Sequence, residues 1–125
     1  MKLKLTLLPK TYAVTRLMPS EEMAVGSNGF FSVTRTADEL SIVCEEDQVP
    51  DDAEKIESGW RCFKLEGPVP FAATGIVSAL TIPLAEAKVG VFVVSTYDTD
   101  YILVKAESLD NTIKAWKIKG FEVAG

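Results

Sequence analysis

The 125-residue sequence contains no histidine, and this absence excludes several kinds of catalytic site. Without imidazole the chain lacks the commonest general base, the Ser–His and Cys–His pairs of covalent catalysis and every histidine-ligated metal site. Cysteine is scarce as well, and the separation between Cys44 and Cys62 is not the Cys-x-x-Cys spacing of a zinc site. The sequence therefore predicts a protein that is not an enzyme and that uses no metal and no cofactor.

The two cysteines lie in apolar, strand-like contexts, Ile-Val-Cys for Cys44 and Trp-Arg-Cys-Phe for Cys62. Free cysteine in such surroundings behaves as a small buried hydrophobic residue. We expect both thiols to be buried and reduced. A disulfide between them stays open, because the sequence gives no distance between the two residues.

The chain also lacks clustered positive charge. Its 13 basic residues are scattered and its net charge is −5, so it has no electrostatic footprint for nucleic acid and no attraction to an anionic membrane surface. No apolar run approaches the length needed to cross a bilayer. Residues 2–7 alternate Lys, Leu, Lys, Leu, Thr and Leu, which is typical of a strand and not of a signal peptide. We expect a cytoplasmic protein that binds neither nucleic acid nor membrane.

With 47% apolar residues the chain can bury a substantial core, and residues 67–105 are its most informative stretch. Ile76, Leu80 and Leu84 lie on one face of a predicted helix with period 3.6. Pro83 removes one backbone donor and is expected to bend the last turn of that helix.

The same stretch continues with a predicted β-hairpin. Val89–Val94 is an apolar, β-branched run, the pattern of a strand that is covered on both faces. Tyr97–Asp100 has turn chemistry, and residues 101–104 return as a strand. The start of the helix offers free N–H groups for an anion, and the carboxylates of the turn suit a cation. An ordinary helix start and an ordinary turn remain the alternative.

The remaining elements complete a β-α-β-β-α-β order over residues 60–123, with Ser108 as an N-cap and Gly120 ending the second helix. Residues 3–46 follow the same plan with shortened helices. They give one strand before Pro9-Lys10, a second strand at Tyr12–Leu17, a short helix that starts at Pro19 and stops at Gly26, and a hairpin over residues 30–46. The acidic loop at 47–58 is the predicted boundary, and a short helical turn at 53–56 is open.

The residues of both halves resemble ACT domains, regulatory modules that bind amino acids in many metabolic enzymes. The resemblance covers nearly the whole chain. In the second half it is carried by these motifs: Gly67-Pro-x-x-Phe71, Thr74-Gly75-Ile76-Val77, Pro83-Leu84-Ala85-Glu86-Ala87 and Ser95-Thr-Tyr-Asp-Thr-Asp-Tyr-Ile-Leu-Val104. In the first half it includes Glu39-Leu-Ser-Ile-Val-Cys44 and Trp60-Arg-Cys-Phe63. They are most similar to the branch of the family that contains the cytosolic arginine sensors and small bacterial proteins with two ACT domains. The resemblance implies an α+β chain of two ferredoxin-like ACT domains, a degenerate one at 1–58 and a second at 59–125, each an antiparallel sheet with helices on one face.

The resemblance also implies a ligand site between ACT domains of two chains. The loop before the first helix would hold the amino-acid end of the ligand, and the strand and turn would enclose its side chain. The corresponding residues here are Pro70, Ala73, Thr74, Gly75 and Ile76 in the loop, Thr96, Tyr97, Thr99 and Asp100 in the turn, and Gly90 and Val91 on a strand of a partner chain. Ala73 stands where the family has an acidic residue, so a contact to the ligand's ammonium group is missing, whereas Asp100 remains available for a cationic group.

Three classes of function stay open. The first hypothesis is a non-catalytic regulatory protein that binds a small molecule, an amino acid by resemblance, and assembles as a homodimer or larger homo-oligomer. The second is a protein-interaction module or orphan regulatory subunit with a vestigial pocket. The third is an enzyme that uses Asp98, Asp100, Cys62 or Tyr97, although nothing in the sequence places a base beside a nucleophile.

Overall fold

Two α-helices and seven β-strands make up the part of the chain that a computed structural model describes, which is residues 2–22, 29–67, 70 and 73–125. In chain order the elements are β1 (Lys4–Leu17), β2 (Ser32–Arg35), β3 (Leu40–Glu45), β4 (Lys55–Leu65), α1 (Ile76–Glu86), β5 (Phe92–Ser95), β6 (Asp100–Lys105), α2 (Leu109–Ile118) and β7 (Glu122–Ala124). No helix within the described ranges has the length and apolar character needed to cross a membrane.

The chain forms two compact units. We name them the C-terminal unit, Met1–Pro9 with Arg61–Gly125, and the N-terminal unit, Lys10–Trp60. Strand β1 contributes residues to both units, because it is one strand where the sequence predicted two. The division into ACT domains at 1–58 and 59–125 stays a prediction, and the units differ from it in grouping the first nine residues with the C-terminal half.

The C-terminal unit has the strand order β7-β1-β4-β6-β5. Strands β5 and β6 form an antiparallel hairpin in which Phe92 faces Leu103 and Ser95 faces Asp100. The predicted α+β fold of antiparallel strands and two helices is confirmed at this level. One pair departs from the expected antiparallel sheet, since β7 runs parallel to β1 with Glu122 opposite Lys4.

The core of the C-terminal unit lies between its helices and one face of its strands. Alternate strand residues, among them Phe63 and Ile102, share one buried cluster with Leu80 of α1 and Trp116 of α2, so both helices pack on that face. The rings of Trp116 and Phe63 pack edge to face with their centroids 4.8 Å apart, and the indole N–H of Trp116 donates to the Leu80 carbonyl at 2.8 Å. Trp116 therefore joins both helices to the sheet.

Helix α1 matches its sequence prediction on its buried side but differs at its C-terminal end. Leu80, Pro83 and Leu84 are its buried residues, and Pro83 lies inside the helix as expected. The predicted strand at 89–94 is wrong in its first half, because β5 begins only at Phe92. Val89 instead closes the helix by donating its amide to the Leu84 carbonyl at 2.8 Å. Strand β5 lies at the edge of the sheet, and its residues are half-buried or exposed, so it is not covered on both faces.

The N-terminal unit contains the antiparallel hairpin β2–β3, and β3 also pairs antiparallel with β1. Leu17, Leu40, Ile42 and Cys44 form its buried cluster. Of the short helix predicted from Pro19 onward, residues 23–28 lie outside the described part of the chain.

Two predicted interruptions of strands are wrong. Pro9 and Lys10 lie within β1, between the residues that pair with β7 and those that pair with β3, so the missing proline N–H falls between two ladders. The helical turn considered at 53–56 is replaced by the start of β4, and Gly59 lies inside that strand instead of closing a loop. Gly59 has a positive φ of 81°, and its amide donates a hydrogen bond to the Glu46 carboxylate at 2.8 Å.

The two hairpins repeat each other at a constant offset of sixty residues. Strand, turn, strand and a following 3-10 turn occupy residues 32–48 in the first hairpin and residues 92–108 in the second. In both, the amide of the first turn residue donates to the carbonyl of the fourth, at 2.9 Å for Thr36 and 2.8 Å for Thr96. The same turn geometry is therefore built twice, on the shared sequence Thr-x-Asp.

Both cysteines are free and fully buried, as the sequence predicted. Burial raises the pKa of the Cys62 thiol to about 12. Burial also raises the pKa of Cys44, and the nearby carboxylates of Asp47 and Glu45 add to the effect. Neither thiol carries the lowered pKa of a reactive cysteine.

The raised pKa of Cys62 predicts a specific loss of stability in alkaline solution. The ordinary pKa of a cysteine thiol is 9, and that of Cys62 in the folded protein is about 12. Between these pH values the unfolded chain loses the thiol proton while the folded chain keeps it, so the unfolded state is stabilised relative to the folded state. We expect the free energy of unfolding of the wild type to fall by about 2 kcal/mol more than that of Cys62→Ala between pH 9 and pH 10.5. Urea unfolding at the two pH values measures this, and identical pH profiles for the two proteins would contradict it.

Candidate functional site

A cavity of about 310 Å³ lies in the C-terminal unit between the start of α1 and the β5–β6 turn. This volume is at the small end of the range for ligand pockets. The residues that line it come from the loop before α1, from the first turn of α1 and from the hairpin: Pro70, Ala73, Gly75, Ile76, Val77, Ser78, Ser95, Thr96, Tyr97, Asp98, Thr99 and Asp100. The cavity therefore joins the two features that the sequence singled out.

The turn side of the cavity is held in place by threonine hydroxyls. The Thr96 hydroxyl donates to the Thr99 carbonyl at 3.1 Å and accepts from the Thr99 amide at 3.3 Å. Thr99 itself is 6% exposed, and its hydroxyl donates to the carbonyl of Leu65 in β4 at 2.6 Å. These bonds fix the turn internally and attach it to the neighbouring strand.

The helix side of the cavity is the uncapped N-terminus of α1. Gly75 is the N-cap residue, with φ 79° in the left-handed region, and no side-chain cap hydrogen bond forms there. Ile76, Val77 and Ser78 line the cavity in the first turn, where backbone N–H groups have no partner within the helix. The first turn also carries no acidic residue, so the positive end of the helix dipole is not offset locally.

The electrostatics of the turn side are acidic. Among the lining residues that the structure describes, Asp98 and Asp100 are the only charged ones. The Ser95 hydroxyl donates to one carboxylate oxygen of Asp100 at 2.5 Å, and Asp100 is half-buried. The cavity thus has a hydrogen-bond-donating end at α1 and a negatively charged end at the turn.

The structure brings most of the predicted site residues together. Pro70, Ala73, Gly75 and Ile76 line one side of the cavity, and the four predicted turn residues line the other. Thr74 is exposed and is not among the described lining residues.

The predicted strand contribution of Gly90 and Val91 is wrong in its local structure. Both residues lie in the connection between α1 and β5, outside any strand, and both are exposed. Neither lines the cavity within the described part of the chain. A role for them in a contact with another chain stays a prediction.

The residue set that the resemblance implied lacks Val77, Ser78, Ser95 and Asp98, although the turn chemistry had already pointed to the carboxylate of Asp98 and the hydroxyl of Ser95. The first two follow Ile76 in the first helical turn, so their backbone faces the same opening as that of Ile76. Ser95 and Asp98 belong to the same polar turn as the predicted residues. The signal that could have found all four was adjacency to predicted residues within one turn of backbone.

Comparison with known families agrees with this geometry. The family model described as "ACT domain" matches residues 55–116, and a second model, for an N-terminal domain, matches residues 10–52. The chain belongs to the ACT-domain family. The region that the ACT-domain model matches, residues 55–116, contains the cavity between α1 and the β5–β6 turn.

Two relatives are similar in sequence. Protein Atu0741 of Agobacterium tumefaciens, known from a crystal structure, is 41% identical, with 98% of this chain and 92% of that chain covered and a TM-score of 0.91. The cytosolic arginine sensor for mTORC1 subunit 1 of Bos taurus is 31% identical over 94 residues, 67% of this chain. The matched region is only 29% of the bovine protein, so this chain spans less than a third of that relative.

A third comparison concerns the fold alone. The aspartate kinase of Clostridium acetobutylicum is 14% identical, with 85% of this chain and 32% of that chain covered and a TM-score of 0.61. At this identity the likeness supports a shared fold and no more.

The hydrogen bond from the Thr99 hydroxyl to the Leu65 carbonyl is expected to stabilise the turn that bounds the cavity. In Thr99→Val the buried carbonyl of Leu65 loses its donor, which we expect to cost about 1–3 kcal/mol in the free energy of unfolding. Thr34→Val, on an exposed position of β2, is the matched control and should change stability by no more than about 0.5 kcal/mol. Urea unfolding measures both, and equal stability of the two variants would show that the turn does not depend on this bond.

Proposed function

We propose that this protein is a non-catalytic regulatory protein whose C-terminal unit binds a small molecule, an amino acid, in the cavity between α1 and the β5–β6 turn. The observation that carries the proposal is the polarity of this cavity. Its α1 end offers backbone N–H groups, which suit a carboxylate, and its turn end offers Asp98 and Asp100, which suit an amino or guanidinium group. A zwitterion with a positive side chain matches both ends.

The volume of the cavity and the family of the protein both support an amino acid as the ligand. About 310 Å³ accommodates a molecule of amino-acid size. The bovine relative is named as an arginine sensor, so an amino acid is the ligand class that the family favours. Ala73 supplies no charge to the loop side of the cavity, so recognition of the ligand would depend on the helix end and on Asp100. As in that named relative, we propose a cytoplasmic location.

Asp100 provides the direct test of ligand binding. Asp100→Asn keeps the shape of the side chain and an oxygen that can accept the Ser95 hydrogen bond, but it removes the negative charge. We expect at least one amino acid at 5 mM, about ten times its Kd, to raise the melting temperature of the wild type by roughly 5 °C, and we expect Asp100→Asn to lose most of that shift.

The control for this experiment is Asp51→Asn, which makes the same charge change on an exposed turn of the N-terminal unit and should keep the full shift. A panel of the twenty amino acids in thermal-shift assays supplies the measurement. The proposal fails if no amino acid stabilises the wild type, or if Asp100→Asn responds as strongly as Asp51→Asn.

A second candidate function, a protein-interaction module or orphan regulatory subunit, is favoured by exposed apolar side chains on the helices. Val77 and Ile82 of α1 are 39% and 55% exposed, and Ile118 at the end of α2 is 75% exposed. Glu86 is the only charged residue of α1, so this helix resembles one that is covered on all sides. We propose that α1 contributes to the contact in a homodimer or larger homo-oligomer.

Light scattering tests the proposed self-association, which both candidates share, and its response to amino acids separates them. We expect the wild type to have at least twice the mass of one chain, and Ile82→Glu to shift toward the monomer because burying a charge in an apolar contact is costly. Lys55→Glu, an exposed change in β4, should leave the mass unchanged. A monomeric wild type would argue against self-association, and assembly that ignores the amino acids of the panel would favour the interaction module over the sensor.

A further inference from the structure

The two repeated hairpins carry opposite charges at the residue pair that closes each turn. In the C-terminal unit this pair is Ser95 opposite Asp100, and in the N-terminal unit it is Arg35 opposite Leu40. The carboxylate of the first pair is replaced in the second by a fully buried leucine. The hydroxyl of Ser95 is replaced by the guanidinium of Arg35, and the residue opposite Arg35 is not acidic.

The guanidinium of Arg35 binds the loop that follows β1. One of its terminal nitrogens donates to the Pro19 carbonyl, and the other donates to the Glu21 carbonyl at 3.0 Å. The amide of Glu21 donates to the Met18 carbonyl at 3.0 Å, so this loop is folded into a turn that presents its carbonyls. Hydrogen bonds from a charged donor are stronger than neutral ones, and a planar guanidinium can serve two acceptors at once.

The loop that Arg35 binds is the counterpart of the loop that lines the cavity in the C-terminal unit. Each loop follows a strand that ends in a buried leucine, Leu17 in β1 and Leu65 in β4, and each leads to one of the repeated hairpins. The segment between strand and hairpin is residues 18–31 in one unit and residues 66–91 in the other. It is shorter in the N-terminal unit by about the length of α1, which has 11 residues.

The residue before each leucine supports this correspondence. Arg16 donates to the carbonyl of Asp38 in the first turn at 2.8 Å and forms an ion pair with Glu54. Lys64 occupies the equivalent place before Leu65, where it lines a second cavity of about 210 Å³ with Asp98 and Thr99 of the second turn. In both units a basic residue therefore lies beside the Thr-x-Asp turn.

We propose that the N-terminal unit contains a guanidinium-binding site, formed by the carbonyls of Pro19 and Glu21 beside the β2–β3 turn, which the chain fills with its own Arg35. The C-terminal unit has an open cavity with an acidic turn at the corresponding place. Each chain then has one site that is open to a ligand from solution and one that already holds a cation. This inference concerns the N-terminal unit and stands whether or not the open cavity binds an amino acid.

Chemical rescue tests this site without reference to the open cavity. Arg35→Ala removes the guanidinium and should lower the melting temperature. Ethylguanidinium at 20 mM should then raise the melting temperature of Arg35→Ala by about 2 °C relative to an equal concentration of sodium chloride, because it binds only the folded state. A gain that comes from the open cavity would appear in the wild type as well, so the rescue is the excess gain of Arg35→Ala over the wild type, whose N-terminal site is already filled.

Two further variants and one localised measurement complete the test. Arg35→Lys keeps the charge but lacks the two-pronged donor and should be intermediate in melting temperature, whereas Lys10→Ala removes an exposed charge from the same unit and should show no rescue. In amide NMR spectra of Arg35→Ala, ethylguanidinium should shift residues 18–22 and 35–40. Equal responses of Arg35→Ala and Lys10→Ala, or shifts confined to residues 73–78 and 95–100, would overturn the inference.

Discussion

The candidate site depends on a four-residue turn whose geometry is set by threonine hydroxyls. The Thr96 hydroxyl satisfies both polar groups of the Thr99 backbone, and the Thr99 hydroxyl reaches the carbonyl of Leu65 in the neighbouring strand. Threonine hydroxyls can bond to nearby backbone groups in this way and so take the place of backbone partners at a turn. The turn is therefore a fixed frame, and the residues at its corners can change without altering its shape.

The N-terminal unit shows how far those corner residues can change. The Thr36 turn has the same internal hydrogen bonds as the Thr96 turn, yet the charge at its closing pair is positive instead of negative. With an acidic residue at its closing pair, the same turn can bind a cation. With a basic residue there, the turn itself supplies the cation. The open cavity and the bridged loop differ in the side chains Arg35 and Asp100 and in the presence of α1, whose first turn lines the cavity.

Local features of this molecule could be predicted from the sequence, whereas pairings between distant segments could not. The buried side of α1, the glycine that ends α2 and the polar turn before β6 follow from the spacing and conformational preferences of neighbouring residues. The start of β5 was misplaced because Val89 is apolar for a different reason, since it packs into the core while closing a helix. Most of the cavity was found for the same local reason, because its two sides are single turns of backbone. The parallel pairing of Lys4 with Glu122 has no local signal at all.

That pairing has a consequence for the order in which the molecule assembles. Residues 4–6 form a ladder with residues 122–124, so this edge of β1 stays unpaired until a segment far along the sequence has been made. The hairpins and helices have partners close by in sequence and can form much earlier on the ribosome. Until synthesis passes residue 124, a nascent chain exposes one unpaired edge of β1, and contacts that shield this edge would protect the chain from pairing with its neighbours.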